Sequence, residues 1–561
     1  MRITKDAPGI RKEFEAGQQY KTAIGLYDTY AQNEDFYIGN QWRGVDADDL
    51  DKPVINFLRR VVSMHIAKVG STDWSVRFKA FVDDEQNDSI SRMLSDQVDQ
   101  VIERLGLKAI ARAAQRNECV DGDACVYFGF DADAESGMDV PGMVTAELLE
   151  NINVYFGNRY SRDVQSQPYI ILHKRMFLGD VKDEAKKNGV SEDDIASIHG
   201  DSDDHQMEAD SPSDLVTVLI KMWKENGTVH CMKTVQDVVL QQDTDTGYKL
   251  YPVAWSSWEI VKSSYHGQAM LTGLIPNQIA LNKSWAGVIW QIQKTGFSQP
   301  VVDRTRIPEW DGSPGQVIEA KGPVANVRDA VMYLEAAPVP VAVINAMDSL
   351  MSTTRDCMGA SDATMGDVNP DNASAIIALQ QADEQPLELR KQAFHDFVED
   401  MCRIIADIIR ARYGERQVMM NGPVLDELGN PVLDENGQPQ QDMQLQEFDF
   451  STLDELQMTM RVDVGASSLY SEQLQVQTAS NLFTTGIIDD PAKLAIYLKI
   501  MPEKYIPSRQ ILQQYCENLL KQTMQAMAPQ QTGGFNPAMA QDDVNVTPVK
   551  PRVENTMNAQ P

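Results

Sequence analysis

A chain of 561 residues, 42% hydrophobic and 24% charged, is sized for three or four domains with cores of their own, which excludes fibrous and collagen-like readings. Its 82 acidic residues against 50 basic ones leave a formal net charge of -32. A field of that sign repels phosphate, so it argues against capture of nucleic acid by counterion release and against docking on an anionic membrane.

Cys119, Cys125, Cys231, Cys357, Cys402 and Cys516 show neither CxxC nor framework spacing, so free thiols in a reducing setting are expected. The first residues lack an apolar h-region, and no stretch approaches the ~18 to 20 apolar residues that cross a bilayer. The expectation is a soluble protein without a cleaved export signal.

In chain order, residues 11 to 36 read as helix and lead to Tyr37-Ile38-Gly39-Asn40-Gln41-Trp42, followed by an acidic loop. From Pro53, Val54, Leu58, Val61, Val62, Ile66 and Val69 recur at helical spacing. A second long helix is predicted over about 85 to 118. CVYFGFDAD, MVTAELLENINVYFG and PYIILHKRMFL then change period and read as strands, so this block is α+β. Residues 188 to 213 are polar and acidic, the composition of a mobile surface excursion. Asn226-Gly227 sits between two alternating runs as a type I′ hairpin turn, in a meander continuing to about residue 264.

Beyond Tyr265-His266-Gly267, the residues Leu271, Leu274, Leu281, Trp285, Val288 and Ile292 trace the stripe of a long helix, which Pro276 must kink or open. A Pro/Gly-rich stretch after Gly296 suggests short strands and turns. A second helix is predicted at about 339 to 358, with Ile344, Met347, Met351, Thr354 and Met358 along one side. GASDATMGDVNPDN, residues 359 to 372, is a cation-free acidic loop. A helix to about Tyr413 follows, kinked at Pro386 and packing through Phe394, Phe397, Met401, Ile404, Ile405 and Ile408. The tandem PVLDELGN, PVLDENGQ reads as a surface hairpin, MTMRVDVG as a strand, Ser468 to Gln525 as polar helices, and the tail from Ala526 as disordered.

The sequence lacks GxxxxGK[ST], HExxH, GxSxG and a GxGxxG context, so phosphate-loop, zincin, esterase and dinucleotide chemistries lose their usual support. His199, Asp201, Asp203, Asp204 and His205 have metal-ligand types at close spacing, yet a solvated acidic loop accounts for them better. Asp121, Asp123, Asp131 and Asp133 lack the glycine and terminal Glu of a calcium loop and fit strand-edge turns. His173-Lys174-Arg175 is a basic spot at a strand end, read as solvent-facing charge rather than a phosphate contact.

The succession of these elements resembles the bacteriophage portal proteins, across nearly the whole chain to about residue 525. YIGNQW with PVINFLRRVV resembles their N-terminal signature, and DGDACVYFGFD the turn into the wing sheet. YHGQAMLTGLIPNQIALNKSW resembles the entry to the first stem helix, the loop before the long kinked helix resembles the tunnel loop, and DVGASSLYSEQ the passage into the crown. The resemblance implies an α+β portal-like subunit. Its parts would be a wing (1–264), first stem helix (265–296), clip (297–338), second stem helix (339–358), tunnel loop (359–372), kinked tunnel helix (373–413), a wing β segment (414–466), a helical crown (467–525) and a disordered tail (526–561).

It also implies a homo-oligomeric ring, usually a dodecamer, at the capsid portal vertex of a virion made in a bacterial cytoplasm. Such a ring passes double-stranded DNA and meets terminase, head–tail adaptor or tail proteins, and the major capsid and scaffold proteins. Catalysis, cofactor and metal are not expected. Asp362, Asp367, Asn369 and Asp371 would then face the channel. Leu274, Leu281, Trp285, Val288, Ile292, Ile344 and Met351 would meet neighbouring subunits, and Arg304, Arg306, Lys321 and Arg328 would meet clip partners. Two competing readings are another virion collar component and a metal-dependent nuclease built on His199, His205 or Asp123.

Overall fold

The computed structural model describes residues 3–46, 50–70, 74–80, 85–135, 140–202, 214–311, 313, 317, 319–321, 330–336, 338–357, 373–423, 441–454 and 458–464. The first helical stretch is two helices, α1 (Ala7–Ala23) and α2 (Leu26–Ile38), because Gly25 turns into the left-handed region at φ 69°. The Asp6 side chain caps α1 by accepting from the N–H of Gly9 at 3.0 Å. Helix α3 (Phe57–Gly70) buries Leu58, Val61, Val62 and Val69, whereas Val54 lies ahead of the helix and is exposed.

Strand β1 (Trp74–Ala80) alternates Trp74, Val76, Phe78 and Ala80 with Ser75, Arg77 and Lys79, a period-2 pattern that is absent from the expected elements above. The single helix expected over 85 to 118 is instead α4 (Glu85–Leu105) and α5 (Leu107–Asp121), broken where Gly106 takes φ 60°. Strands β2 (Asp123–Asp131), β3 (Met143–Leu149), β4 (Val154–Phe156) and β5 (Ile170–Phe177) follow.

After α6 (Leu178–Lys187), the excursion expected from 188 begins as ordered chain. Ser191 caps the short α7 (Glu192–Ser197), and Ile195 and Ile198 are buried, so two isolated apolar residues anchor a segment whose bulk composition is polar. Strands β6 (Leu215–Glu225) and β7 (Thr228–Val235) meet at a type I′ turn with Asn226 at φ 53° and Gly227 at φ 92°, as its sequence requires. Next come β8 (Val238–Asp245), β9 (Val253–Ser257), α8 (Ile275–Thr295), β10 (Gln299–Val302), β11 (Val331–Leu334) and α9 (Val341–Cys357). The 40-residue α10 (Ala373–Arg412) continues through Pro386, and β12 (Glu415–Pro423), β13 (Gln441–Asp449) and β14 (Met458–Val464) complete the described chain.

Among the described residues every strand pair is antiparallel. A five-stranded sheet has the order β4-β5-β6-β7-β8, and β9 leaves that meander to join a three-stranded sheet, β3-β2-β9. Two-stranded pairs join β1 to β14, β10 to β11 and β12 to β13. The largest apolar core gathers α4, α5, both larger sheets and the expected face of α10, from Phe394 to Ile408. A second core joins α2, α3 and α5 to α8 and α9 through Phe36, Leu58, Val62, Leu281, Val288 and Met347. Cys119, Cys125, Cys231 and Cys402 are buried free thiols and Cys357 an exposed one.

Candidate assembly site: a buried junction and a helix pair

The segments DGD and YHG, far apart in sequence, meet on one carboxylate. Asp123 opens β2 fully buried and accepts from Ser257 Oγ at 2.6 Å, the Gly267 N–H at 2.8 Å and His266 Nδ1 at 2.8 Å. Asn151 Nδ2 donates to the same carboxylate at 3.4 Å. Two glycines permit this approach. A Cβ on Gly122, whose φ is 98°, would stand 3.0 Å from the backbone of Ala269 and Gly267, and one on Gly267 would stand 2.7 Å from the Glu259 carbonyl. Backbone bonds from Trp258 to the Gly122 carbonyl and from Leu271 to the Cys119 carbonyl close the seam.

Charge is costly here, and the buried groups either find partners or shift toward their neutral forms. Burial holds His266 below its usual pKa against the opposing pull of Asp123, so the neutral ring donates through Nδ1. Lys21, contributed by α1 and wholly buried, donates to the carbonyls of Asn151, Ile152 and Val154 at 2.9, 2.8 and 2.7 Å and lies 3.7 Å from the centre of the Tyr155 ring. Burial pushes its pKa well below the ordinary lysine range. Burial likewise lifts Glu118 to about 7 and Asp121 to about 8, against Ser256 and Arg390 at the first and Arg116 at the second. Nothing in the sequence pattern marked Lys21 or Glu118, since each occupies an ordinary helical position.

Immediately beyond this junction, α8 starts with Pro276 in its first turn, so the proline opens the helix; Leu271 and Leu274 precede it in a turn, and the helix expected from 265 begins at Ile275. Its first turns carry a polar ladder. Gln278 donates to the Ile55 carbonyl at 2.8 Å and to Asn282 Oδ1 at 2.9 Å, and Asn282 donates to Gln41 Oε1 at 2.6 Å. YIGNQW and PVINF therefore hold the root of α8, with Trp42 Nε1 donating to the Pro53 carbonyl at 2.9 Å. Helices α8 and α9 run antiparallel, since Asn277 bonds Thr354 at one end and Gln291 bonds the Pro338 carbonyl at the other.

The predicted contact residues divide in two. Leu274, Leu281 and Val288 are buried within the protomer, with Trp285 and Met351 packed against the same cluster, so these side chains are used by the chain's own core. Ile292 and Ile344 are 43% and 40% exposed, and Trp290, Phe297 and Val341 are exposed at the same end of the helix pair. Arg304 is exposed, Arg306 lies 3.7 Å from Asp303, and Lys321 donates its backbone N–H to the Arg306 carbonyl. Arg328 lies outside the described residues, as do Asp362, Asp367, Asn369 and Asp371, the 423–439 tandem apart from Pro423, and everything after residue 464.

The residues weighed for metal chemistry are engaged elsewhere. Asp123 is saturated by internal donors, Asp131 accepts from the Asp133 N–H in a turn, and Asp201 binds Arg175 and Thr217. His199 meets the Ser197 carbonyl at 2.9 Å, and Asp203, Asp204 and His205 lie outside the described residues. The basic spot expected to face solvent is paired instead: His173 is buried against Asn153 and Lys174 binds Glu147, because β5 sits inside its sheet.

Comparison with known families matches the profile of the Phage P22-like portal protein family to residues 174–551, about two thirds of the chain. The chain belongs to the phage P22-like portal protein family. The match starts in β5 and takes in α8, the β10–β11 ribbon, α9 and α10, while YIGNQW and DGDACVYFGFD precede it. No curated protein matches the chain. Membership gives it a portal or connector role in the phage virion capsid and a mixed helix and sheet architecture. No helix among the described residues is long and apolar enough to cross a membrane.

Proposed function

We propose that the chain builds a portal ring, a dodecamer, whose central channel passes double-stranded DNA during packaging and ejection. The observation that supports this most is the long α8, the β10–β11 ribbon and the returning antiparallel α9, rooted in the protomer at one end and bearing the exposed apolar residues Trp290, Ile292, Val341 and Ile344 at the other. Exposed apolar side chains gathered at one end of a helix pair suit burial against another subunit. In this reading α8 and α9 are the stem, the ribbon between them the clip, and α10 the tunnel helix. Ile292, Ile344 and Trp290 then serve the contact between subunits, in place of Leu281 and Val288.

The acidic balance suits a channel. Carboxylates neither bind phosphates nor condense onto the duplex, so DNA slides past them without a series of ion pairs to break. Asp362, Asp367 and Asp371, which precede α10 in the sequence, carry that role. The ring has no catalytic activity; terminase supplies the hydrolysis, and Arg304, Arg306 and Lys321 are the clip's cations for terminase and then the adaptor. Light scattering with negative-stain imaging of the same peak tests the proposal. A particle of about twelve protomers with an axial hole is expected, and a monomer with metal-dependent nuclease activity would overturn it.

A further inference from the structure

At the hairpin end of the five-stranded sheet, register gathers metal-ligating side chains on one face. Trp223 and Glu225 are two apart on β6, His230 on β7 stands opposite Trp223 and also opposite Asp245 on β8, and Asp243 is two residues from Asp245. Ligand atoms of Glu225, His230 and Asp243 lie within 4.8 Å of one another. The Trp223 ring stacks on His230 with centroids 5.8 Å apart, and its Nε1 donates to Glu225 at 3.2 Å, so two of the three side chains are already oriented.

A cation from a different part of the chain occupies this place. Lys5, ahead of α1, puts Nζ 2.7 Å from Glu225 Oε2, 2.7 Å from Asp243 Oδ2 and 5.1 Å from the centre of the Trp223 ring. His230 Nδ1 is 2.7 Å from the other Asp243 oxygen. Glu225 and Asp243 face this single ammonium, so one negative charge remains in excess after Lys5 is counted, while the adjoining Asp245 accepts from Thr228 and the Gly247 N–H. The lysine pair is half-exposed and therefore weak.

We propose that this is a cation-exchange site, at which a divalent transition metal of the zinc class, held by one imidazole nitrogen and two carboxylate oxygens, displaces the ammonium of Lys5. An imidazole with carboxylates suits zinc, whereas magnesium keeps an all-oxygen shell. Metal–ligand bonds of about 2.05 Å set ligand atoms roughly 3.3 Å apart, a contraction that side-chain rotation from a fixed sheet supplies.

Zinc titration calorimetry on the full chain tests this. One zinc per protomer is expected, bound about tenfold more tightly by Lys5→Met and at least about thirtyfold more weakly by His230→Ala and by Asp243→Asn. Asp243→Asn keeps the side-chain shape, so the comparison stands even where loss of the Trp223 stack unfolds His230→Ala. Absence of zinc uptake overturns the proposal, as does uptake indifferent to both ligand substitutions. Lys5→Met without tighter binding overturns the exchange.

Discussion

Glu118 and Asp121, in the last turn of α5, directly precede the Asp123 carboxylate that joins β2 to the chain entering α8, and their raised pKa values make the junction sensitive to pH. A carboxyl whose folded pKa lies near 7 instead of 4.5 contributes stability that is fully present below 4.5 and is lost as pH rises through 7. Glu118→Gln removes that loss, so its stability gain over the parent should grow between pH 5 and pH 8 by up to about 3 kcal/mol, read from urea midpoints at each pH. An unchanged difference would show that Arg390 and Ser256 offset the burial. Gly122→Ala forces a side chain into left-handed backbone against the Ala269 and Gly267 main chain, and should cost about 2 to 4 kcal/mol in the same measurement.

Helices α8 and α9 separate folding from assembly along their length. Leu281→Asp places a charge in the core shared with α2 and α3, so the protomer itself should lose cooperative unfolding. Ile344→Asp stands at the exposed end of the pair, where the protomer should keep its circular dichroism while light scattering loses the ring. The stripe was legible from sequence because helical spacing reports apolar periodicity. It could not tell which apolar residues meet the chain's own α3 and which meet nothing, because that depends on where Gln278 and Asn282 dock the helix. The type I′ turn and the face of α10 were legible for a similarly local reason. The breaks at Gly25 and Gly106 were not, since an isolated glycine is compatible with a continuous helix; β1 was legible in its own alternation, and only its partner near the other end of the described chain was not.

At the scale of the molecule, a net charge of -32 on every protomer opposes ring closure. Raising salt from low to physiological strength shortens the Debye length to about 8 Å and screens that repulsion, while leaving apolar contacts intact. Ring formation should therefore shift toward the assembled state as salt rises, followed by light scattering at fixed protein concentration. Dissociation by salt would instead indicate an interface held by ion pairs, with Arg304, Arg306 and Lys321 as the first residues to replace.

The pairing of β1 with β14 binds Trp74 to Val464 and Ala80 to Met458, and it bears on when a newly made chain becomes competent. Local hairpins such as β6–β7 can close as soon as they leave the ribosome, but β1 must wait for nearly the whole described chain to be synthesised. Until then its hydrogen-bonding edge is open beside α4, where the Phe78 N–H meets Ser95. A prematurely terminated chain would thus carry an unsealed strand, a mark of incompleteness that can keep truncated subunits from entering a closed assembly.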